Sequence, residues 1–181
     1  QKTAYEIKEC DWSSTCALPI FQNILPKGGT ILELGSGSGT EVLSREYKMI
    51  SIEDDPLFVD KYDSQYLAVP LIPYSEEKFP FMWDFFKEDS HWYDPDVLKN
   101  EMKKVGHYDL ILVDGPKGYR GGLLSYLDLF DLSKTVLVDD THDKFHYKKA
   151  EVISEKTGRP IRTMESAHED RKSTRLNSSH I

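Results

Sequence analysis

The stretch LELGSGSGT, Leu32 to Thr40, decides how the rest of the chain is read. An apolar run enters it from GGTI, an acid sits between two leucines, and then glycines alternate with serines. That order describes a buried strand running into a tight loop and out into a helix. A glycine loop at such a junction lets backbone approach a ligand closely. A dinucleotide fingerprint requires G-x-G-x-x-G. Here Gly35, Gly37 and Gly39 give G-x-G-x-G, and Thr40 stands where the third dinucleotide glycine would be. Glu33 lies two residues before the first glycine, where a carboxylate suits a cationic ligand better than a phosphate. A purely structural glycine turn is the plain alternative.

Outward from the loop, EVLSREY supplies a short helix, and KMISIEDDP a second buried strand that ends in acids and a proline stop. QYLAVPLIPY predicts a third extended stretch, whose two prolines make it a poor central strand. HWYDPDVLKNEMKKV predicts a helix with Pro95 at its first position. YDLILVDGP, Tyr108 to Pro116, is the clearest buried strand. LLSYLDLF follows as a helix, KTVLVDD as another buried strand, DKFHYKKAEVISEKTG as a helix stopped by Gly158, and RPIRTM as one more strand. Apolar strands alternating with helices predict an α/β fold: a Rossmann-like, doubly wound, mainly parallel sheet with helices on both faces. The strand ends ELGSGSG, IEDDP, VDGPKGYR and VDDTHD are rich in acids and glycines, so polar chemistry is expected to converge on one edge of the sheet.

The loop pattern resembles motif I of the class I S-adenosylmethionine-dependent methyltransferases, acid-x-Gly-x-Gly-x-Gly. The resemblance implies that Glu33 helps to hold the methionine end of the cofactor, and that Gly35, Ser36, Gly37 and Gly39 make room for it. It also implies that Glu53, closing SIEDDP with Asp54 beside it, accepts from the ribose hydroxyls; a carboxylate can accept from two adjacent hydroxyls at once. NAD enzymes use the same device, so Glu53 does not separate the two cofactors. HWYD, YDLILVDGPKGYRGG, LDLF and VLVDDTH look like a bacterial and phage group of that superfamily whose substrates are uncharacterised. A complete domain of this family ends in a helix and an antiparallel hairpin, so the chain is expected to be a fragment truncated before that hairpin.

The resemblance implies S-adenosylmethionine as cofactor and methyl transfer to a small molecule or saccharide, at an oxygen. DGPKGY lacks the Asn/Asp-Pro-Pro-aromatic motif of enzymes that methylate nucleic acid bases. Asp114 is expected at the acceptor site, with a turn aspartate as the plain reading. His142 is a candidate general base, with a helix-capping surface histidine as the alternative. Asp139 and Asp140 with Asp114 form an oxygen-rich set of the kind that suits magnesium. The local pattern differs from the Asp–Asn pair of metal-dependent relatives, and no metal ligand is assigned. Lys117, Tyr119 and Arg120 are read as contacts to an anionic acceptor or as a solvated loop. The aromatic run FPFMWDFFKEDSHWYD, Phe79 to Asp94, is read as an acceptor lid, an adenine wall, or packing over the sheet edge. His91, His107, His146 and His168 show no metal-ligand spacing. A nicotinamide oxidoreductase and a non-catalytic cofactor-binding module are the rival functions.

The ends of the chain read differently. DRKSTRLNSSH, Asp170 to His180, resembles the translation of a common sequencing adapter. QKTAYEI, Gln1 to Ile7, and DWSSTCALPI, Asp11 to Ile20, resemble the partner adapter in order, with Lys8 to Cys10 in place of a variable index. The expectation is a non-native segment at 1–20, a methyltransferase domain at 21–169 and a non-native tail at 170–181, as in a metagenomic fragment. Cys10 and Cys16 fall in the first segment, leaving 21–169 without cysteine for a disulfide or thiolate metal site. The 181 residues carry 31 Asp and Glu against 23 Lys and Arg, a net charge of −8. That balance speaks against a general nucleic-acid surface. No apolar run approaches the length of about 20 residues that spans a bilayer. A cytoplasmic protein without membrane or nucleic-acid partners is expected, its oligomeric state left open.

Overall fold

A computed structural model describes residues 4–8 and 17–165. The main sheet has seven strands: β1 (Ala4–Lys8), β2 (Thr30–Leu34), β3 (Lys48–Glu53), β4 (Gln65–Ala68), β7 (Leu110–Val113), β8 (Thr135–Val138) and β9 (Ile161–Glu165). Their spatial order is β4-β3-β2-β7-β8-β1-β9, and every pairing is parallel. β5 (Leu71–Pro73) and β6 (His91–Tyr93) form a separate antiparallel ribbon. The helices are α1 (Ala17–Ile24), α2 (Ser38–Leu43), α3 (Trp83–Phe86), α4 (Pro95–Met102), α5 (Gly122–Ser125) and α6 (Lys144–Thr157). This is the expected doubly wound α/β architecture. No described helix is long and apolar enough to cross a membrane.

The continuous apolar runs become the central strands because helices cover both faces. Leu32, Leu34, Ile50, Ile52, Ile111, Val113, Val136 and Val138 join a core on one side of the sheet, and Ile31, Met49, Leu110, Leu112 and Leu137 one on the other. The chain passes from β2 outward to β3 and β4, then returns to the far side of β2 as β7. The order therefore reverses between β2 and β7, and open α/β sheets hold ligands at that switch point. Here two loop backbones almost touch. Gly35 has φ +89°, and a Cβ on it would stand 2.8 Å from Gly115 Cα. A Cβ on Gly115 would stand 2.5 Å from Gly35 Cα and 2.9 Å from the Leu34 carbonyl oxygen.

Several local readings are corrected. His91–Tyr93 pairs with Leu71–Pro73 as β6 instead of opening the following helix. That helix starts at Pro95, where the Asp94 carboxylate accepts from the Asp96 and Val97 amides. LLSYLDLF divides into α5 and a single 3-10 turn, Leu127–Leu129. QYLAVPLIPY splits too. Its first part is the edge strand β4, which tolerates the nearby prolines, and its second joins the ribbon. The expected boundary at residue 20 falls inside α1, whose Ile20 and Phe21 are both buried. Ala4–Lys8, expected to stand apart from the fold, pairs with β8 and β9 in the main sheet. Among the described residues, Ala4–Lys8 thus belongs to the main sheet and Ala17–Ile20 to α1. The tail 170–181, His168, Cys10 and Cys16 lie outside the described residues.

The glycine pair yields a direct test. Gly115→Ala, forced against backbone on both sides, is expected to cost about 1–3 kcal/mol, the range of overpacked sites. Gly37→Ala has nothing within 4 Å of its new Cβ and an extended backbone, so it is expected to stay within about 0.5 kcal/mol. Urea unfolding of both variants beside the native chain measures the difference.

Candidate functional site

At the carboxyl ends of β2, β3 and β7 lies a cleft of about 390 Å³. Its floor is Gly35, Ser36, Gly115 and Pro116. Glu53, Asp54 and Asp55 line one side, Phe58 and Leu71 give apolar surface, and Asp114 and Lys117 complete the other side. The volume falls in the range of about 300–1,000 Å³ typical of small-molecule sites.

Glu53 ties two loops together. Its Oε2 accepts from the Ser36 amide at 2.6 Å, and its Oε1 from the Asp54 and Asp55 amides at 3.0 and 2.8 Å. A carboxylate has about four acceptor positions. Oε1 is filled by its two donors, whereas Oε2 carries one and keeps a position for a hydroxyl. Burial raises the pKa of Glu53 and of Asp54; the three amides on Glu53 oppose the rise.

Glu33 departs from its expected place. It is buried beneath the glycine loop and is not among the residues lining the cleft. Its Oε1 accepts from Thr40 Oγ1 at 2.6 Å and Ser51 Oγ at 2.5 Å. Burial pushes its pKa up to about 7, against those two hydrogen bonds. Gly37 and Gly39 likewise do not line the cleft; both belong to the turn and first residues of α2.

On the opposite wall, Asp114 is half-buried beside Gly35. Burial first, then the neighbouring Asp139, raises its pKa well above the carboxylate range, and Arg120 opposes this. Asp114, Asp139 and Asp140 converge, with oxygens within 4.8 Å of one another. Arg120 is buried and unites the group. Its Nη2 lies 3.3 Å from Asp140 Oδ2 and 3.8 Å from Asp114 Oδ1, and its Nε donates to the Pro116 carbonyl at 2.9 Å. Both Arg120 and Asp140 have positive φ, 59° and 60°. Strained backbone of this kind costs about 1–3 kcal/mol and gathers at functional sites. The oxygen-only set suits a hard divalent ion in donor type, but the Arg120 guanidinium already supplies positive charge against two of the three carboxylates. The residues therefore assign no metal role.

The other candidates separate. His142 is exposed in the turn before α6 and does not line the cleft; the helix is capped by Asp143, which accepts from the Phe145 amide at 2.7 Å. Lys117 is exposed at the cleft, Tyr119 stacks on Phe145 at 4.0 Å, and Arg120 is buried. The loop is thus anchored, not solvated. The aromatic run chiefly packs. Phe79, Phe86, Trp92 and Tyr93 are fully buried, and Phe86 and Trp92 press on Gly121 and Gly122, where a Cβ would meet them at 2.5 and 2.4 Å.

Two residues passed over in the sequence hold the Tyr119–Gly121 loop. Asp89 accepts from the amides of Ser90, Tyr119 and Gly121. Lys149, fully buried in α6, donates to the carbonyls of Tyr119 and Phe145, and burial pushes its pKa down to about 7. His146 one turn earlier is pushed down to about 3, chiefly by burial. A lysine in an amphipathic helix reads as a surface residue, so Lys149 left no signal. Gly115 left a weak one: a second glycine at a strand end beside the first loop.

The sequence matches no protein-family model and no curated protein. Among solved structures, it is similar to the MycE methyltransferase of the mycinamycin biosynthetic pathway, in complex with Mg and SAH. The TM-score is 0.41 and the identity 13%, over 78% of this chain and 38% of that one. The chain thus spans well under two thirds of the length of that protein.

Lys149 makes the stability of the fold pH-dependent in a known direction. Unfolded, it holds its proton up to the ordinary lysine range near 10.5; folded, it releases it from about 7. Between those values the unfolded state binds the extra proton, so this residue makes stability rise with pH, by at most about 1.4 kcal/mol per pH unit. Lys149→Met is expected to remove that slope between pH 7.5 and 9.5, compared with the native chain by denaturant titration at each pH.

Proposed function

We propose that the protein transfers a methyl group from S-adenosylmethionine to an oxygen of a small-molecule or saccharide acceptor. The observation that carries the reading is Glu53 at the rim of a cleft floored by Gly35 and Gly115. There a carboxylate with one acceptor position left faces a floor made by two loop backbones that approach closely only because both residues lack a Cβ.

S-adenosylmethionine supplies, when bound, a methyl carbon activated by its sulfonium. The residues of this chain bind and orient. Gly35 and Gly115 let the ligand lie against backbone, Glu53 Oε2 accepts from a ribose hydroxyl, and Phe58 and Leu71 offer an apolar side to the base. Asp114 takes the proton of the acceptor hydroxyl. Burial and Asp139 make it more basic than an ordinary carboxylate, which brings it closer to the operating pH that favours a general base. Arg120, against Asp114 and Asp140, limits that rise. The exposed position of His142, away from the cleft, supports Asp114 over it as the base.

Thr40 supports this cofactor over NAD. In the dinucleotide fingerprint the third glycine packs helix against strand; here a threonine hydroxyl binds a buried glutamate instead. The acidic balance of the chain and the missing base-methylation motif support a small acceptor over nucleic acid.

Calorimetric titration of the full chain with S-adenosylhomocysteine and with NAD tests the reading. Saturable binding of the first alone is expected. Glu53→Ala should weaken it about 10- to 100-fold, the worth of one hydrogen bond to a charged group. Binding of NAD alone would overturn the reading.

A further inference from the structure

Glu33 lies beneath the cleft without opening onto it, yet it holds the loop that does. The Thr40 hydroxyl has one proton, and it goes to Glu33 Oε1 at 2.6 Å. The Thr40 oxygen is then free to accept from the Gly37 amide at 3.0 Å, and it lies 3.2 Å from Ser36 Oγ. Ser36 Oγ also meets Tyr66 OH at 2.9 Å, and the Ser36 amide reaches Glu53. On the other side Ser51 donates to the same Glu33 oxygen and pairs with Ser64 at 2.6 Å.

We infer that Glu33 is a positioning residue: as a carboxylate it directs Thr40 to hold the Ser36–Gly37 turn in its binding shape, so that occupation of the cleft is coupled to release of one proton. The inference rests on the reading of the cleft as an S-adenosyl cofactor site. Its physical basis is the direction of the hydrogen bonds. A proton on Oε1 makes Glu33 a donor, so the Thr40 hydroxyl must give up its bond to Glu33 and turn its own proton elsewhere, which reorders its contacts with Ser36 and Gly37. A proton on Oε2 removes the charge that makes both acceptances strong. Thr40 and Ser36 are the links through which either change reaches the cleft.

The groups around Glu33 add to the effect. Glu53 from β3 and Asp114 from the end of β7 are carboxylates, and Tyr66 from β4 and Tyr93 from β6 are phenols that stay neutral in this range. Burial and the charge of Glu53 favour the proton, and Thr40 and Ser51 oppose it. The carboxyl titrates near 7, so the binding shape is populated on the alkaline side and lost on the acid side.

The test is the affinity of the full chain for S-adenosylhomocysteine from pH 5.5 to 8, measured by calorimetry on the native protein, Glu33→Gln and Ser51→Ala. If only the ionised form binds, the native affinity falls about thirtyfold from pH 8 to pH 5.5. Glu33→Gln is expected to bind at every pH as weakly as the native protein does at low pH. Ser51→Ala removes a donor from the carboxylate without touching the glycine loop, and should move the midpoint to higher pH. Flat native affinity, an undiminished pH dependence in Glu33→Gln, or an unmoved midpoint in Ser51→Ala overturns the inference. The Ser51 variant keeps the test open if Glu33→Gln does not fold. Absence of binding at every pH is a different failure: it sinks the cofactor reading, and the role of Glu33 with it.

Discussion

Everything at the functional edge depends on the approach of two backbones, at Gly35 and Gly115, across the switch point of the sheet. β2 and β7 are hydrogen-bonded neighbours, yet the chain leaves them in opposite directions. Helices that leave a sheet on opposite sides open a crevice between their first turns. The crevice is a usable cleft only if neither loop fills it. Two residues without side chains, one of them with φ +89°, let the two loop backbones meet as its floor. The carboxylates of Glu53 and Asp114 then face a common space from two strands that are not neighbours, β3 and β7.

The two walls of that space differ electrostatically. On the Glu53 side the acid is met by backbone amides. On the Asp114 side three carboxylates converge, two of them against one buried guanidinium, with left-handed backbone at Arg120 and Asp140 on the two loops that meet there. The first arrangement keeps an acceptor ready for neutral donors such as hydroxyls. The second keeps a carboxylate basic without leaving its charge wholly uncompensated. In the proposed reaction, binding and proton removal thus fall to different walls.

The sheet was legible because its central strands are continuous apolar runs, a pattern only a parallel, doubly covered sheet explains. Glu53 and Asp114 were legible because each closes such a run. What escaped was set by tertiary contact. Glu33 reads as a ligand contact from spacing alone, and only the neighbouring strand shows that Ser51 and Thr40 occupy it. His91–Tyr93 carries a helix-start signal behind it, yet pairs with Leu71–Pro73 because three residues suffice for a ribbon. Lys149 and Asp89 are charged side chains whose role lies in capturing backbone groups of a distant loop, and no local pattern announces that. The five residues of β1 show the converse: a short extended stretch finds a place in a sheet whatever its origin.

The attachment of Asp89 has a wider consequence. Glu53 fastens the glycine loop from within β3, whereas Asp89 fastens the Tyr119–Gly121 loop from the long excursion between β4 and α4. The two sides of the cleft therefore hang on separate stretches of chain. Insertions or exchanges within residues 74–90 reshape the wall that carries Arg120 while leaving the Glu53 anchor as it is. Such a scaffold can change what it receives without relearning what it holds.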